Sequence, residues 1–279
     1  MKILVAGAGG FVGRALLKRL VGHELVLPSR RPEQFRGLGL NGVFPPFTED
    51  LAGLVLEHRP ELVINLLGII KEEGPETFGK VHLEYTRRLA EGAARCKVRR
   101  FIQMSALGAA TASPSAYQAT KALAEELLSA SGLECVIFRP SLITGPGQKL
   151  FSDLERLARF VPFLAAPSDA WAAPVSLEDV ADCFALAVRG GVPAGVYELG
   201  GEERLDFAEL FRRGLAARGV RRAVIGLPRV FFLPLLPFFA LLPQPPLTRE
   251  QYLMLGAPNV PSGRFPGVKE LLGAVRPAF

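Results

Sequence analysis

Short runs in which nearly every position is apolar alternate along the chain with longer segments whose apolar positions recur every three or four residues. "KILVAG" opens the series, and "HELVLPSRR", "NGVF", "PELVINLLGII", "RRFIQMSALG" and "LECVIFRPSLITGPG" follow. Runs of this kind, rich in β-branched and aliphatic residues, predict strands buried on both faces. Between them, "RALLKRL", "LAGLVLEHR", "VHLEYTRRLAEGAARC" and "AYQATKALAEELLSASG" carry helical spacing. Regular alternation of strand and helix predicts a parallel sheet with helical crossovers. The expected fold is α/β, a Rossmann-type doubly wound parallel sheet with helices on both faces and a small C-terminal lobe. Residues 1–200 form the dinucleotide domain in this reading, residues 201–279 the lobe for substrate or partner, and residues 146–173 contribute to the lobe.

Later segments keep the alternation. "WAAPVSLEDVADCFALAV" predicts a strand turning into a capped helix, with Ser176 and Asp179 at capping-box spacing and Asp179 in a structural role. "GVYELGGEERLDFAELFRRGL" adds a strand and a helix, and the lobe is expected to lack a strand-rich core of its own. From Val230 to Thr248 no residue is charged, but Pro234, Pro237, Pro243, Pro245 and Pro246 interrupt the run. Each proline costs about 3 kcal/mol inside a helix, so a membrane-spanning helix is not expected. Arginines 212, 213, 218, 221, 222 and 229 precede the run. It reads as a packed core segment, as the wall of an apolar pocket, or as a surface docking on a membrane or partner.

Chemistry enters at the first turn. Gly7, Gly10 and Gly13 in "GAGGFVG" stand between the first strand and a helix, the required setting for a dinucleotide turn. Glycine lets the backbone turn tightly and approach a pyrophosphate, the N-terminus of the helix that follows offers free amides, and Phe11 and Val12 of the turn are expected to bind the cofactor. The second strand ends at Ser29, Arg30 and Arg31, where an acid would bind the ribose hydroxyl of NAD. A hydroxyl and two guanidinium groups suit a 2′-phosphate, so NADP(H) is the expected cofactor, with NAD(H) as the alternative. Asn65, Leu66 and Gly68 fall at the carboxyl end of the fourth strand, where doubly wound folds take ligands. Tyr117 and Lys121 lie four apart on one helix face, with Ser105 at the end of the preceding strand. An ammonium beside a phenol favours the phenolate, which allows proton exchange; the same residues can also simply wall a nicotinamide pocket.

Composition narrows the field. The 279 residues are 49% hydrophobic and 22% charged, with a formal charge of +6. That balance is globular, and no zinc-knuckle, helix-turn-helix or aromatic–basic signature accompanies the positive charge, so nucleic acid is not an expected partner. Cys96, Cys135 and Cys183 are odd in number and far apart, which predicts no metal site and a reduced, cytoplasmic chain, with the inner membrane face as a peripheral location. The glycine-punctuated N-terminus does not read as a signal peptide.

"GAGGFVG", "FIQMSALGA", "YQATK", "IFRPSLITGPG" and "PVSLEDVA", in this order, resemble a short-chain dehydrogenase/reductase of the extended or atypical kind. More narrowly, "INLLGI", "SALGA", "FRPSLITGPG" and "PPLTREQYLML…NV" are similar to the NADPH-binding accessory subunits of respiratory complex I and their bacterial relatives. The resemblance implies that Ser105, Tyr117 and Lys121 form the catalytic group and that Gly7, Gly10 and Gly13 hold the pyrophosphate. It implies also that Pro140, Ser141, Leu142 and Ile143 pass the nicotinamide amide. His82 falls where an asparagine often continues the proton relay, and either a relay or a packing role fits it. "VFPPFTED" departs from the acidic adenine contact common after the third strand. Three functions are then expected in order. The first is an NADP(H)-dependent oxidoreductase on a lipophilic carbonyl or quinone-like substrate. The second is a non-catalytic NADPH-binding assembly or sensing subunit of a respiratory complex. The third is an NAD-dependent sugar-nucleotide epimerase or dehydratase. The oligomeric state stays open.

Overall fold

A computed structural model describes every residue except position 243; Pro243, one of the breaks expected in the apolar run, lies outside the described residues. The chain begins β1 (Lys2–Ala6), α1 (Phe11–Leu17), β2 (Glu24–Val26), β3 (Gly42–Val43), α2 (Leu51–His58) and β4 (Leu62–Asn65). A π-helical turn, Gly79–Glu84, leads into α3 (Tyr85–Arg95), then β5 (Arg100–Met104), α4 (Ala116–Ser129) and β6 (Cys135–Pro140). Next come β7 (Ile143–Thr144), α5 (Lys149–Ala158), β8 (Phe163–Pro167), β9 (Trp171–Ala172), β10 (Val175–Ser176), α6 (Leu177–Val188) and β11 (Gly195–Leu199). The C-terminal part adds β12 (Leu205–Asp206), α7 (Phe207–Ala216), β13 (Ala223–Leu227), α8 (Leu236–Ala240), α9 (Arg249–Met254) and α10 (Val268–Leu272).

Seven strands form one sheet in the order β11-β6-β5-β4-β1-β2-β3, and every pair is parallel. The order reverses between β1 and β4, which opens a crevice at their carboxyl ends. Alternate side chains serve the two faces, as a strand's twofold period requires. Ile3 and Val5 of β1 join α1 and α6 in one core, while Leu4 and Ala6 join α2, α3 and α4 in the other. The fold is thus the doubly wound sheet expected from the alternating pattern.

The smaller lobe has an apolar cluster of its own, contrary to expectation. Phe151 and Leu154 of α5 pack with Leu164 of β8, Leu210 of α7 and Val224 of β13. Parallel β8 and β13 and antiparallel β9 and β12 frame it. These strands are two to five residues long and lack strict alternation, so periodicity alone did not reveal the cluster.

Ser176 caps α6 by accepting the Asp179 amide at 3.0 Å. The reciprocal half of a capping box is absent, because the Asp179 carboxylate turns to the C-terminal tail. It accepts the Arg276 backbone N–H at 2.9 Å and the Arg276 guanidinium at 2.5 Å. Asp179 is buried, so removing it forfeits charge-assisted hydrogen bonds that hold the tail on α6. Asp179→Ala is expected to cost roughly 2 kcal/mol in urea unfolding, and a loss near zero shows that the tail is not anchored there.

Candidate active site at the carboxyl edge of the sheet

The β1–α1 turn lies hard against the exit of β4. Gly7 has φ +87°, and a Cβ there stands 2.9 Å from the Leu66 carbonyl carbon. A Cβ on Gly13 meets the Ala8 carbonyl oxygen at 2.4 Å, so only glycine lets α1 close on the turn. Gly10 caps α1 with no side-chain hydrogen bond on the first amides. Phe11 packs against the core and Val12 is buried within it, which leaves their backbone, not their side chains, for a ligand. Such a cradle of open amides and absent Cβ atoms fits a dinucleotide pyrophosphate.

At the end of β2 the basic cluster is already engaged. The Ser29 hydroxyl accepts the Gln34 side-chain amide at 2.7 Å and the Arg31 backbone N–H at 3.0 Å. Arg30 pairs with Glu76 at 2.7 Å and stacks over Phe47. The guanidinium holds the Glu76 carboxyl below its ordinary value against the opposing effect of burial, the larger single cause. Of the two arginines, only Arg31 has no ion pair among the described residues.

Asn65 is fully buried and fully used. Its amide donates to Thr86 Oγ1 and Gln103 Oε1, each at 2.9 Å, and its oxygen accepts the Leu67 N–H at 3.1 Å. It ties β4 to β5 and α3 and has no polar atom left for a ligand. Gly68 serves a different purpose. A Cβ there would lie 3.2 Å from Lys121 Nζ, so its absence gives the ammonium room.

Tyr117 and Lys121 come from adjacent turns of α4, whose N-terminus Ser115 caps. Lys121 Nζ donates to Met104 O at 3.1 Å, with Leu67 O at 3.5 Å. Burial pulls its pKa down to about 8, and the negative charge of Glu125 opposes this. The Tyr117 ring stands edge-on to Phe78 and His82, with centroids 5.9 and 5.2 Å away. Burial pushes its hydroxyl up to about 12. The expected depression of the tyrosine by its lysine is thus not the resting balance, because desolvation dominates and the ammonium is turned to carbonyl oxygens.

Ser105 is not gathered into this pair. Its hydroxyl donates to Glu125, which Arg139 holds through Nε at 3.0 and 3.1 Å and through Nη2 at 2.5 Å. Glu125 carries on the stripe Tyr117, Lys121, Glu125 at a spacing of four. That signal was present in the sequence and passed over. His82 is likewise committed. Its Nδ1 meets Thr120 Oγ1 at 3.0 Å, and Nε2 faces the Ile69 backbone at 3.2 Å. Thr120 gives its own hydrogen to Ala116 O, so Nδ1–H donates and Nε2 accepts the Ile69 N–H. Burial, then the Lys121 charge, pushes His82 down to about 2.

Pro140, Ser141, Leu142 and Ile143 carry the chain from sheet to lobe. Pro140 accepts the Leu107 N–H at 3.0 Å, Ser141 Oγ donates to Asn259 O at 2.8 Å, and Ile143 pairs with Val175. Leu142 packs on the lobe cluster and Ile143 on the main core. A cleft of about 330 Å³ opens beside α4, between Lys71 and Phe78 on one side and Leu236, Leu247, Arg249 and Glu250 on the other. Glu250 accepts the Ser115 hydroxyl at 3.0 Å and lies 3.4 Å from the Tyr117 amide, which joins the lobe to the start of α4. No local pattern marked Glu250, since its partners are more than a hundred residues away.

Two titrations follow from burial. Between about pH 8 and 10.5 the unfolded chain keeps a proton on Lys121 that the folded chain has shed. Stability there rises with pH relative to Lys121→Met and is level below pH 8. For His82 the unfolded chain gains a proton below 6.5 that the folded chain refuses until about 2. Acidification below 6.5 therefore costs the wild type stability relative to His82→Asn. Urea midpoints of the two variants across pH check both, and a wild-type difference flat with pH contradicts the assigned burial.

A sequence model described as the NAD dependent epimerase/dehydratase family matches residues 3–200. The chain is 31% identical over 234 residues to a ceramide reductase of Caulobacter vibrioides, covering 81% of this chain and 73% of that one. It is 30% identical over 223 residues to subunit 9 of the NADH dehydrogenase 1 alpha subcomplex of Arabidopsis thaliana, covering 74% of this chain. It spans only 55% of that subunit's length. Thermus thermophilus UDP-glucose 4-epimerase, solved with NAD, shares the fold at a TM-score of 0.68 and 21% identity, covering 91% of this chain and 97% of that one. Two expectations are corrected. The family is described by NAD and by epimerase and dehydratase chemistry, which overturns an NADP(H)-dependent oxidoreductase of lipophilic carbonyls or quinones as the leading reading. The preference for NADP(H) falls with it; at the end of β2 Ser29 and Arg30 are engaged by Gln34 and Glu76, while Arg31 has no acidic partner among the described residues. Related by sequence to the complex I accessory subunits, and matched along more than two thirds of its length, the chain belongs to the NAD dependent epimerase/dehydratase family, a family of NAD(P)-binding enzymes with the short-chain dehydrogenase/reductase fold.

Proposed function

We propose that this protein is an NAD-dependent enzyme of epimerase or dehydratase type acting on a hydroxyl-bearing carbon of a sugar nucleotide. The observation that carries the reading is the half-buried Tyr117 with the buried Lys121 beside an open cleft, in a chain whose family is described by this chemistry. Gly7, Gly10 and Gly13 cradle the pyrophosphate, Lys121 holds the nicotinamide ribose, and Pro140 to Ile143 border the nicotinamide. Bound NAD supplies the acceptor for a hydride.

The chain's own part is proton handling and enclosure. Once Tyr117 has given up its own proton to become the phenolate, its oxygen would take the proton of the substrate hydroxyl while the hydride of that carbon would pass to the bound nicotinamide. The Lys121 ammonium makes the phenolate less costly once substrate and cofactor exclude water. Phe78 and Leu236 shield the cleft, and Lys71 and Arg249 offer cations to a diphosphate. Ser105 acts through Glu125 as a brace and does not touch the reacting atoms. Three free cysteines support a reducing compartment, the cytoplasm.

The test is turnover of a panel of uridine and thymidine diphosphate sugars with NAD, read by product analysis and by nicotinamide absorbance. Tyr117→Phe is expected to lower the rate by about 10²–10⁴-fold with unfolding midpoint unchanged, whereas Ser105→Ala is expected to shift stability more than rate. A Tyr117→Phe enzyme that works at the wild-type rate removes the proposal.

A further inference from the structure

The run after β13 is exposed, and what it exposes is apolar. A 3₁₀ turn, Arg229–Leu235, and the short α8 turn only Phe232 inward. Phe231 is 59% exposed, Phe238 68% and Leu241 82%. Arg156 of α5 hydrogen-bonds Gln244, which brings the end of α5 alongside; Phe160, just beyond it, is 81% exposed. Prolines 234 and 237 bend the segment, and among the described residues no helix is long and apolar enough to cross a membrane.

Basic residues flank this segment along the chain. Arg221 and Arg222 before β13, and Arg249 after the run, have no acidic partner among the described residues. The nearby acids are engaged within the protein: Asp169 accepts the Arg229 N–H at 2.8 Å, and Glu250 accepts Ser115. We propose that the lobe docks on an anionic phospholipid surface, with Phe231, Phe238 and Leu241 entering the headgroup boundary and Arg221 and Arg222 meeting lipid phosphates. A protein partner fits this face less well. Protein interfaces carry about one hydrogen bond per 100–200 Å², and from Val230 to Leu242 no side chain can make one. A bilayer boundary takes phenyl rings without donors and adds attraction for each arginine nearby.

Flotation of the full chain with vesicles of phosphatidylcholine plus phosphatidylglycerol, and with phosphatidylcholine alone, tests this. The protein is expected to float with the anionic vesicles and to be released by high salt. Phe231→Asp/Phe238→Asp is expected to weaken binding by about tenfold or more, since each ring loses its burial. Arg221→Glu/Arg222→Glu is expected to do the same through charge while leaving every apolar side chain in place, so a folding failure of the first variant leaves the question decidable. Unfolding midpoints and NAD binding confirm that each variant is folded. The proposal is overturned if the wild type floats with neither vesicle, if salt and both variants leave flotation unchanged, or if the face instead joins two copies in a dimer that binds no vesicles.

Discussion

All seven strands of the main sheet run the same way, so every strand delivers its chain to one edge. That constraint assembles the site. The turn after β1, the exit of β4, the end of β5 and the segment after β6 have no choice but to meet there. Where β1 and β4 part, the connecting chains diverge to opposite faces and leave a crevice. Gly7 and Gly68 show how the edge uses a missing side chain: one lets backbone pass backbone, and the other admits an ammonium.

Burial then decides the electrostatics. Burial around Lys121 outweighs the pull of Glu125 and brings its pKa down to about 8, while the ammonium donates to the Met104 carbonyl. Tyr117, enclosed by Phe78 and His82, is held as a phenol. The pair rests with the proton where a base would not want it. Buried Glu125 and half-buried Arg139 stand behind the pair as a brace, and Glu125 accepts the Ser105 hydroxyl.

The sheet, its helices and the glycine turn were legible because their signals are local. Buried parallel strands read as unbroken apolar runs, and Gly7, Gly10 and Gly13 sit in strand–turn–helix context. The spacing of Tyr117 and Lys121 was equally plain. What sequence could not supply were the partners that redirect a side chain. Arg30 looks like a phosphate ligand until Glu76, forty-six positions on, claims it. Asp179 looks like half of a capping box until Arg276 arrives from the tail. His82, for which relay and packing both fitted the sequence, has both nitrogens in hydrogen bonds. In each case the residue type was read correctly and its loyalty was fixed by a contact distant in the chain.

The state of Arg30 and Ser29 therefore bears the most weight, since it decides which dinucleotide the edge accepts. The direct measurement is calorimetric binding of NAD and of NADP to the wild type and to Glu76→Gln. A pocket in which Glu76 holds Arg30 binds NAD more tightly than NADP, and the variant, with Arg30 released, narrows or reverses the gap. NADP binding the wild type more tightly than NAD contradicts the account at its centre.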